Sequence, residues 1–504
     1  MTGIFKTEKI RELDQYTIDH EPISGVELVE RAATAFVHAF CRRHSRQRKV
    51  HVFAGQGNNG ADALAIARLL HESGYRTEVY LFNPKQKLSP ECEAHKSLLL
   101  AGREIRFSEI VNDFVPPAIS VHDVVIDGLF GTGLSRPLSG GFAAVIDYIN
   151  RSGAAVVSID IPSGLSGENC RERVHVIKAN HTYTFEFPKL SFLFAENETF
   201  TGKWTILPIG IHPDIKAKTE TPYYFVTDED MKGVIRPRRK FSHKGTFGHA
   251  LLLAGGRGRM GAAVLAAGAC MRSGVGRLTV HLPQRGEVIL QTAVPEAMLS
   301  LDENADFISS LPETNGYEAI GIGPGLGTHD ASAGLLESLL KTATQPLVLD
   351  ADALNLLASD EKRMQLLPPH TILTPHPREF DRLAGESADS GERLHKAMEM
   401  AVQRRVYIVL KGAYTAVCTP EGKAFFNSTG NAGMATAGCG DVLTGLILGL
   451  LAQGYAPETA TVAGVYLHGM AGDIAAVDGS EESLLAGDLV RTLGKTFKLQ
   501  YDGH

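Results

Sequence analysis

The sequence lacks most of the signals that would place it in a simple class. Its six cysteines (Cys41, Cys92, Cys170, Cys270, Cys418 and Cys439) are scattered and form no C-x-x-C pair. That spacing argues against a zinc ribbon or a redox dithiol. The opening stretch, MTGIFKTEKIRELDQYTIDH, has no apolar core, so no signal peptide is expected. No run of about 18 apolar residues occurs. The best candidate, 442–452, is short and contains Thr444, Gly445 and Gly449. A cytoplasmic protein without membrane contact is the expectation. Charge is also low: 50 Lys plus Arg against 57 Asp plus Glu, a net of −7. A mildly acidic chain is poorly suited to coating nucleic acid, so no such partner is expected. No G-x-x-x-x-G-K-[ST] string occurs, which excludes P-loop phosphoryl chemistry.

Glycine is what the sequence has in excess. It holds 52 glycines in 504 residues, against a usual share of roughly 7%. Glycine spread through a globular chain points to loops whose backbone approaches something closely. Short β-branched runs alternate with helical patterns, the signature of parallel α/β sheets. Strands are predicted at 49–54, 77–82, 123–126 and 155–159. The rhythm stops across 212–240, which carries proline, charge and little periodicity. It restarts with strands at 249–254, 277–281, 319–322, 346–349, 371–374 and 406–410. The expectation is an α/β fold of two tandem domains, 1–220 and 226–504, with a boundary near 220.

Two loops match the dinucleotide fingerprint: Gly55-x-Gly57-x-x-Gly60 and Gly256-x-Gly258-x-x-Gly261. Each follows a strand and opens a helix, a turn that aims N–H groups at phosphate. The full fingerprint also needs an acid at the end of the second strand. Asn83-Pro84 and His281-Leu282-Pro283 stand there instead, so an ordinary NAD oxidoreductase is not supported. Asn58, Asn59 and Asp62 crowd the tip of the first loop; one is expected to cap the helix, leaving others for a ligand. Asp127, Asp160 and Ser163 follow further strands and should converge with Asn59 in the crevice at the strands' carboxyl ends. Oxygen ligands without His or Cys suit a hard cation, while helix capping is the plain alternative for each acid alone.

The first domain resembles the YjeF N-terminal domain of NAD(P)H-hydrate epimerases, a Rossmann-like three-layer α/β/α domain. The resemblance runs through LVERA at Leu28, AGQGNNGADAL at Ala54, DGLFGTGLSRP at Asp127, SIDIPSG at Ser158, TFEFPK and TGKWTILPIGI. It implies substrate contacts at Asn58, Asn59, Gly60, Ala61, Asp62, Gly131, Thr132, Gly133, Leu134, Ser135, Arg136, Pro137 and the catalytic Asp160. It also implies a K+ ion held by Asn59, Asp127 and Ser163. The family usually reads Gly-Gly-Asp-Gly where this chain has Gly60-Ala61-Asp62-Ala63, and the two added methyls are expected to tighten or partly block the site.

In the second domain, a run of small residues from Asn431 ends in Gly438-Cys439-Gly440-Asp441 at a helix start. Such a turn makes an anion nest that holds charge on a transferring phosphoryl group. Asp441 there is placed to take a proton from an acceptor hydroxyl, with a helix cap as the alternative. Cys439 has no evident activating His and reads as a small packing residue. GIGPGLG, LDADALN, TPHPREF, VLKGAYT, GCGDVLTG and VYLHG together resemble the ribokinase-like ADP/ATP-dependent NAD(P)H-hydrate dehydratases over about 226–500. That resemblance implies substrate contacts at Ala262, Gly325, His376 and Asp441, with Asp441 the catalytic base. It implies an adenine-nucleotide site at Lys411, Gly412, Ala413, Tyr414, Thr415 and Gly440, with Mg2+ on ADP or ATP, ADP being preferred. Arg378 replaces a family glycine and is expected to crowd the pocket mouth.

The two resemblances imply one function, repair of hydrated NADH and NADPH. The first domain would interconvert the R and S hydrates, and the second would dehydrate the S epimer at the expense of ADP or ATP. The expected partners are these hydrates, the nucleotide and a second copy in a homo-oligomer. The rival reading is a vitamin-precursor kinase carrying an N-terminal binding or scaffold module.

Overall fold

The computed structural model describes residues 1–101, 105–133, 137–169 and 174–501. The chain divides into two compact units, Gly3–Thr221 and Pro222–His504, the latter joined by Met1–Thr2. The 212–240 stretch is more ordered than its composition suggested. It contains the helix Pro213–Lys218, the strand Tyr223–Val226 and the helix Asp228–Met231.

The first unit is built on a seven-stranded parallel sheet. Its order is Arg106–Ile110, Arg76–Phe82, Lys49–Ala54, Val124–Gly128, Ala155–Ile159, His181–Phe185, Lys203–Leu207. The order reverses between Lys49–Ala54 and Val124–Gly128, so the crevice that binds ligands in such folds opens there. Alternation makes the layers. Val50, Val52, Val124, Ile126, Val157 and Ile159 pack in one core, and Phe53, Val125 and Val156 in another. The first core is covered by the helices Gly25–Cys41 and Asn58–Glu72, the second by Gly140–Arg151.

The second unit carries an eleven-stranded sheet. Seven strands form its parallel centre, in the order Met298–Leu301, Arg277–Leu282, His249–Leu253, Ala319–Ile322, Leu347–Leu349, Ile372–Leu373, Tyr407–Leu410. Ala416–Cys418 and Ala424–Asn427 then extend it antiparallel, and Tyr223–Val226 adds on parallel to the last of these. Thr2–Gly3 stands first in the sheet order, and the Met1 ammonium pairs with Asp230 at 2.6 Å. Pro457–Asp478 is the one described helix long and apolar enough to cross a membrane, and 67% of its apolar window is buried inside the fold.

The helices Met260–Arg272 and Cys439–Ala452 pack tightly in this unit's core. Gly445 and Gly449, which interrupt the apolar run in the sequence, face this contact. A β-carbon on Gly445 would lie 1.9 Å from the Ala266 carbonyl oxygen, and one on Gly449 1.9 Å from Ser273 Oγ. Gly334, in the helix Asp330–Thr342, has open space instead. Gly445→Ala is therefore expected to destabilise the unit by about 1–3 kcal/mol. Gly334→Ala should be neutral or stabilising by up to about 1 kcal/mol. Calorimetric unfolding checks this: an unfolding midpoint for Gly445→Ala no lower than that of Gly334→Ala would contradict the packing described.

Candidate active sites

In the first unit the loop after Lys49–Ala54 crosses the switch point against the loop after Val124–Gly128. Gly55 N–H donates to the Gly128 carbonyl at 3.0 Å. A β-carbon on Gly60 would lie 1.8 Å from the Gly55 carbonyl oxygen, so only glycine lets the helix start here. None of Asn58, Asn59 or Asp62 caps that helix: its N-cap is Gly57, without a side-chain bond. The Asn59 amide reaches across instead, donating to the Phe130 carbonyl at 3.0 Å.

Asp127, Ser163 and the Phe130 carbonyl meet beside Asn59. Ser163 Oγ donates to Asp127 Oδ1 at 2.5 Å and lies 3.2 Å from the Phe130 carbonyl oxygen. Ser163 N–H and Ser158 Oγ each donate to Asp127 Oδ2 at 2.8 Å. Asp127 is fully buried and, among the described residues, has no Lys, Arg or His partner. Burial pushes its carboxyl up, and these hydrogen bonds oppose the shift. A buried carboxylate ringed by neutral oxygens, with no cation of its own, fits a hard monovalent ion.

The second group in this unit lies two strands along. Asp160 follows Ala155–Ile159 with φ +61°, a left-handed conformation that a non-glycine residue seldom adopts and that clusters at functional sites. Lys189, only 2% exposed, donates to Asp160 Oδ1 at 2.7 Å, to Thr184 Oγ1 at 2.9 Å and to the Phe187 carbonyl at 3.2 Å. All three ammonium protons are thus engaged. Oδ1 also accepts from Thr184 Oγ1 and Phe185 N–H, whereas Oδ2 accepts no bond among the described residues. Asp14, from the helix Thr7–His20, and Asp62 face the same pair. Burial and the Asp160 charge push Asp14 up to about 7. Burial, then Asp160 and Asp14, push Asp62 well above the usual carboxylate range. Three carboxyls facing one ammonium place Asp14 and Asp62 where burial and like charge favour the protonated form.

Lys189 and Asp14 were not singled out from the sequence. Lys189 closes the TFEFPK string, but only its burial beside Asp160 reveals a role. The Ala61 side chain is fully buried in the core, with that of Ala63. Ala63 packs instead against the strand, 2.6 Å from where a β-carbon on Gly128 would lie. The crowding expected from these two residues therefore falls on helix–sheet packing. Gly131 adjoins the Asn59 side chain and Gly133 the Arg11 guanidinium, while Thr132 and Pro137 flank them in the chain. Leu134, Ser135 and Arg136 lie outside the described residues.

In the second unit, Asp441 occupies the first turn of Cys439–Ala452, whose N-cap is Gly438 at φ +94°. Its carboxylate has no hydrogen bond or ion pair among the described residues. Burial, then the Asp350 charge, pushes it up to about 7, against the pull of Lys411. Lys411 pairs with Asp350 Oδ1 at 2.7 Å, and Thr444 Oγ1 donates to Oδ2 at 2.7 Å. A β-carbon on Gly440 would lie 3.0 Å from Lys411 Nζ, so this turn, Lys411 and Asp350 share one corner. Gly412 has open space where a side chain would be, and Ala413 beside it is exposed. Thr415 Oγ1 donates to the Gly412 carbonyl at 2.9 Å, closing that loop on itself beside Tyr414.

Ala262 and Gly325 come together, since a β-carbon on Gly325 would lie 3.3 Å from Ala262 Cβ. His376 caps its own helix, Pro377–Ala384. Its Nδ1 accepts from the N–H groups of Arg378 and Glu379 at 3.1 and 3.2 Å, while Glu379 bonds back to the His376 N–H at 2.9 Å. Nδ1 is thereby committed, and Nε2 carries the proton 3.4 Å from Glu379 Oε1. Arg378 lies in the first turn of that helix. Cys439 is a core residue: it is 6% exposed and burial pushes its thiol up. The nearby His468 bonds the Cys439 carbonyl at 2.9 Å, not the thiol, and burial lowers its pKa to about 4.

Comparison with known proteins follows this division. A family model described as NAD(P)H-hydrate dehydratase matches residues 250–495, and one described as YjeF-related protein N-terminus matches 25–191. The chain is 34% identical to the bifunctional NAD(P)H-hydrate repair enzyme Nnr of Moorella thermoacetica, over 95% of this chain and 93% of that protein. It is 32% identical to the enzyme of the same name from Thermofilum pendens, over 98% and 96%. Among solved structures, the ADP/ATP-dependent NAD(P)H-hydrate dehydratase of Bacillus subtilis, co-crystallised with ATP/Mg2+, is 37% identical. The two superpose with a TM-score of 0.48 over 55% of this chain and 98% of that one. The chain belongs to the family of bifunctional NAD(P)H-hydrate repair enzymes.

Proposed function

We propose that the two units carry out consecutive steps in repairing hydrated NADH and NADPH in the cytoplasm. Residues 1–220 would epimerise the R and S hydrates, and 226–504 would dehydrate the S epimer with ADP or ATP. The observation that carries the reading is Asp441: a carboxylate unpartnered among the described residues, pushed up to about 7, at the first turn of a glycine-flanked helix. A base so placed takes a proton from a hydroxyl near neutral pH while the helix N–H groups hold the phosphoryl oxygens.

In the second unit, Asp441 removes the proton of the ring hydroxyl, whose oxygen attacks the terminal phosphoryl of the nucleotide. The phosphorylated oxygen then leaves as phosphate, pushed by the ring-nitrogen lone pair, and the double bond re-forms. Phosphorylation replaces hydroxide, a poor leaving group, by a good one. Asp350 and Thr444 fix Lys411 at the turn, where its charge meets the phosphates. Gly412 and Gly440 keep the backbone open beside it. Mg2+ travelling with the nucleotide would shield its phosphates; one or two carboxylates plus phosphate oxygens suffice for that ion. The vitamin-kinase alternative has no support from the full-length relatives, which are named repair enzymes.

In the first unit the hydroxyl-bearing carbon must lose one bond to oxygen or nitrogen and regain it on the opposite face. Either route needs a group that accepts a proton and one that returns it. Asp160 Oδ2 is the available acceptor, and Lys189 fixes the carboxylate through Oδ1. The neighbouring Asp62 carboxyl, pushed toward its protonated form by burial and by the Asp160 charge, is the matching donor. Asn59, Asp127, Ser163 and the Phe130 carbonyl would hold K+, which when bound neutralises the buried Asp127.

Four outcomes follow. Asp441→Asn should lower dehydration of the S hydrate by about 10²–10⁴ while R/S interconversion continues. Because Asp441 works ionised, wild-type kcat/KM for dehydration should rise about tenfold per pH unit below pH 7 and level off above it; a flat profile from pH 5.5 to 8 would contradict the assignment. Asp160→Asn should do the reverse, leaving nucleotide-dependent recovery of the S hydrate and stranding the R hydrate, as followed by NADH absorbance. Replacing K+ by tetramethylammonium should slow interconversion and lower the first unit's unfolding temperature; no change in either would remove the ion from the account.

A further inference from the structure

The carboxyl ends of the first two strands in the first unit enclose a cavity that neither proton-transfer group uses. It measures about 250 Å³ and is lined by Gly55, Gln56, Pro84, Lys85, Phe130, Pro137, Leu138, Ser139 and Phe142. Phe130 and Phe142 meet edge to face, with centroids 4.7 Å apart, and make its apolar wall. Gln56, also in the lining, has its Oε1 buried with no hydrogen-bond partner among the described residues, which leaves an acceptor waiting for a donor. Lys85 is exposed at the rim and forms no ion pair among the described residues.

The cavity sits where a doubly wound sheet holds the adenosine ribose of a dinucleotide, at the end of the second strand. An acid there binds a 2′-hydroxyl and repels a 2′-phosphate; a base there admits the phosphate. This chain has Asn83-Pro84-Lys85 after Arg76–Phe82. Glu109 on the neighbouring strand, which bonds this loop, is already engaged by Asn83 at 2.8 Å and Lys96 at 2.7 Å. Both bonds hold its carboxyl below the usual range, so it is a spent charge. The Asp160–Lys189 pair lies three strand spacings away in the sheet order, roughly 14 Å at 4.8 Å each. A dinucleotide stretched across the switch point spans that interval, passing the open face of Gly57.

We infer that this cavity receives the adenosine end of the hydrated dinucleotide and that Lys85 pairs with a 2′-phosphate there, making hydrated NADPH the preferred substrate of the first unit. The inference rests on the epimerase reading given above. Its test uses the full chain, without added adenine nucleotide so that dehydration is silent, and follows R/S interconversion of each hydrate by chromatography. The wild type is expected to favour hydrated NADPH in kcat/KM by about tenfold, the worth of one charge-assisted contact. Lys85→Ala should bring that ratio close to one, and Lys85→Glu should invert it. Equal kcat/KM values in the wild type, or an unchanged ratio in both variants, would overturn the inference while leaving the epimerase reading intact. If neither hydrate is interconverted, the epimerase reading fails instead. Calorimetric titration with 2′,5′-ADP then decides the cavity alone: binding about tenfold weaker in Lys85→Ala supports it, and equal binding overturns it.

Discussion

Both sites depend on backbone segments packed closer than any side chain permits. A β-carbon on Gly60 would lie 1.8 Å from the Gly55 carbonyl oxygen, and one on Gly323 the same distance from that of Asp350. The first contact folds the start of the helix that carries Asn59 and Asp62 onto the Gly55 turn, and Gly55 in turn packs on the Leu129 carbonyl beside Phe130. The second presses the Gly-Pro-Gly loop onto the strand end from which Asp350 reaches Lys411. Gly445 draws the Asp441 helix onto its neighbour in the same way. The glycine excess is therefore mainly a packing device, and the catalytic geometry follows from it. Residues such as Gly57, Gly261 and Gly412, which open on empty space, are the ones left for a ligand.

A common charge pattern grows on that frame. Each unit holds a carboxylate–ammonium pair with one partner buried, Asp160–Lys189 at 2.7 Å and Asp350–Lys411 at 2.7 Å. Beside each pair stands an acid with no hydrogen bond or ion pair among the described residues, Asp62 in one and Asp441 in the other, whose burial and like-charged neighbour favour the protonated form. Buried pairs add little net stability. Their value here is to fix a charge that tunes the next acid, so that proton donors and acceptors coexist near neutral pH.

Much of this was legible in the sequence. The central strands are β-branched runs, and the switch-point loops announce themselves by glycine. Asp127, Asp160, Ser163, Asn59 and Asp441 were all found as polar residues at strand ends or helix starts. What escaped notice has physical reasons. Arg106–Ile110 and Met298–Leu301 are half-exposed outer strands with mixed composition, and Tyr223–Val226 is hidden in a charged stretch. Ala61 stands among the contacts that the resemblance implies, and helical periodicity turns its side chain to the core. Lys189 carries no local signal, because its partner is brought to it by the sheet, 29 positions away in sequence. Asp14 comes from a helix outside the sheet altogether.

The central claim is that one chain performs two consecutive steps, and one measurement tests it most directly. NADH absorbance is followed after purified protein is added to a mixture of R and S hydrated NADH with K+, Mg2+ and ADP, ATP or no nucleotide. The account predicts nucleotide-dependent recovery that proceeds past the S epimer to consume both. Recovery that stops when the S epimer is exhausted would contradict the role given to the first unit. No recovery with either nucleotide would contradict the account as a whole.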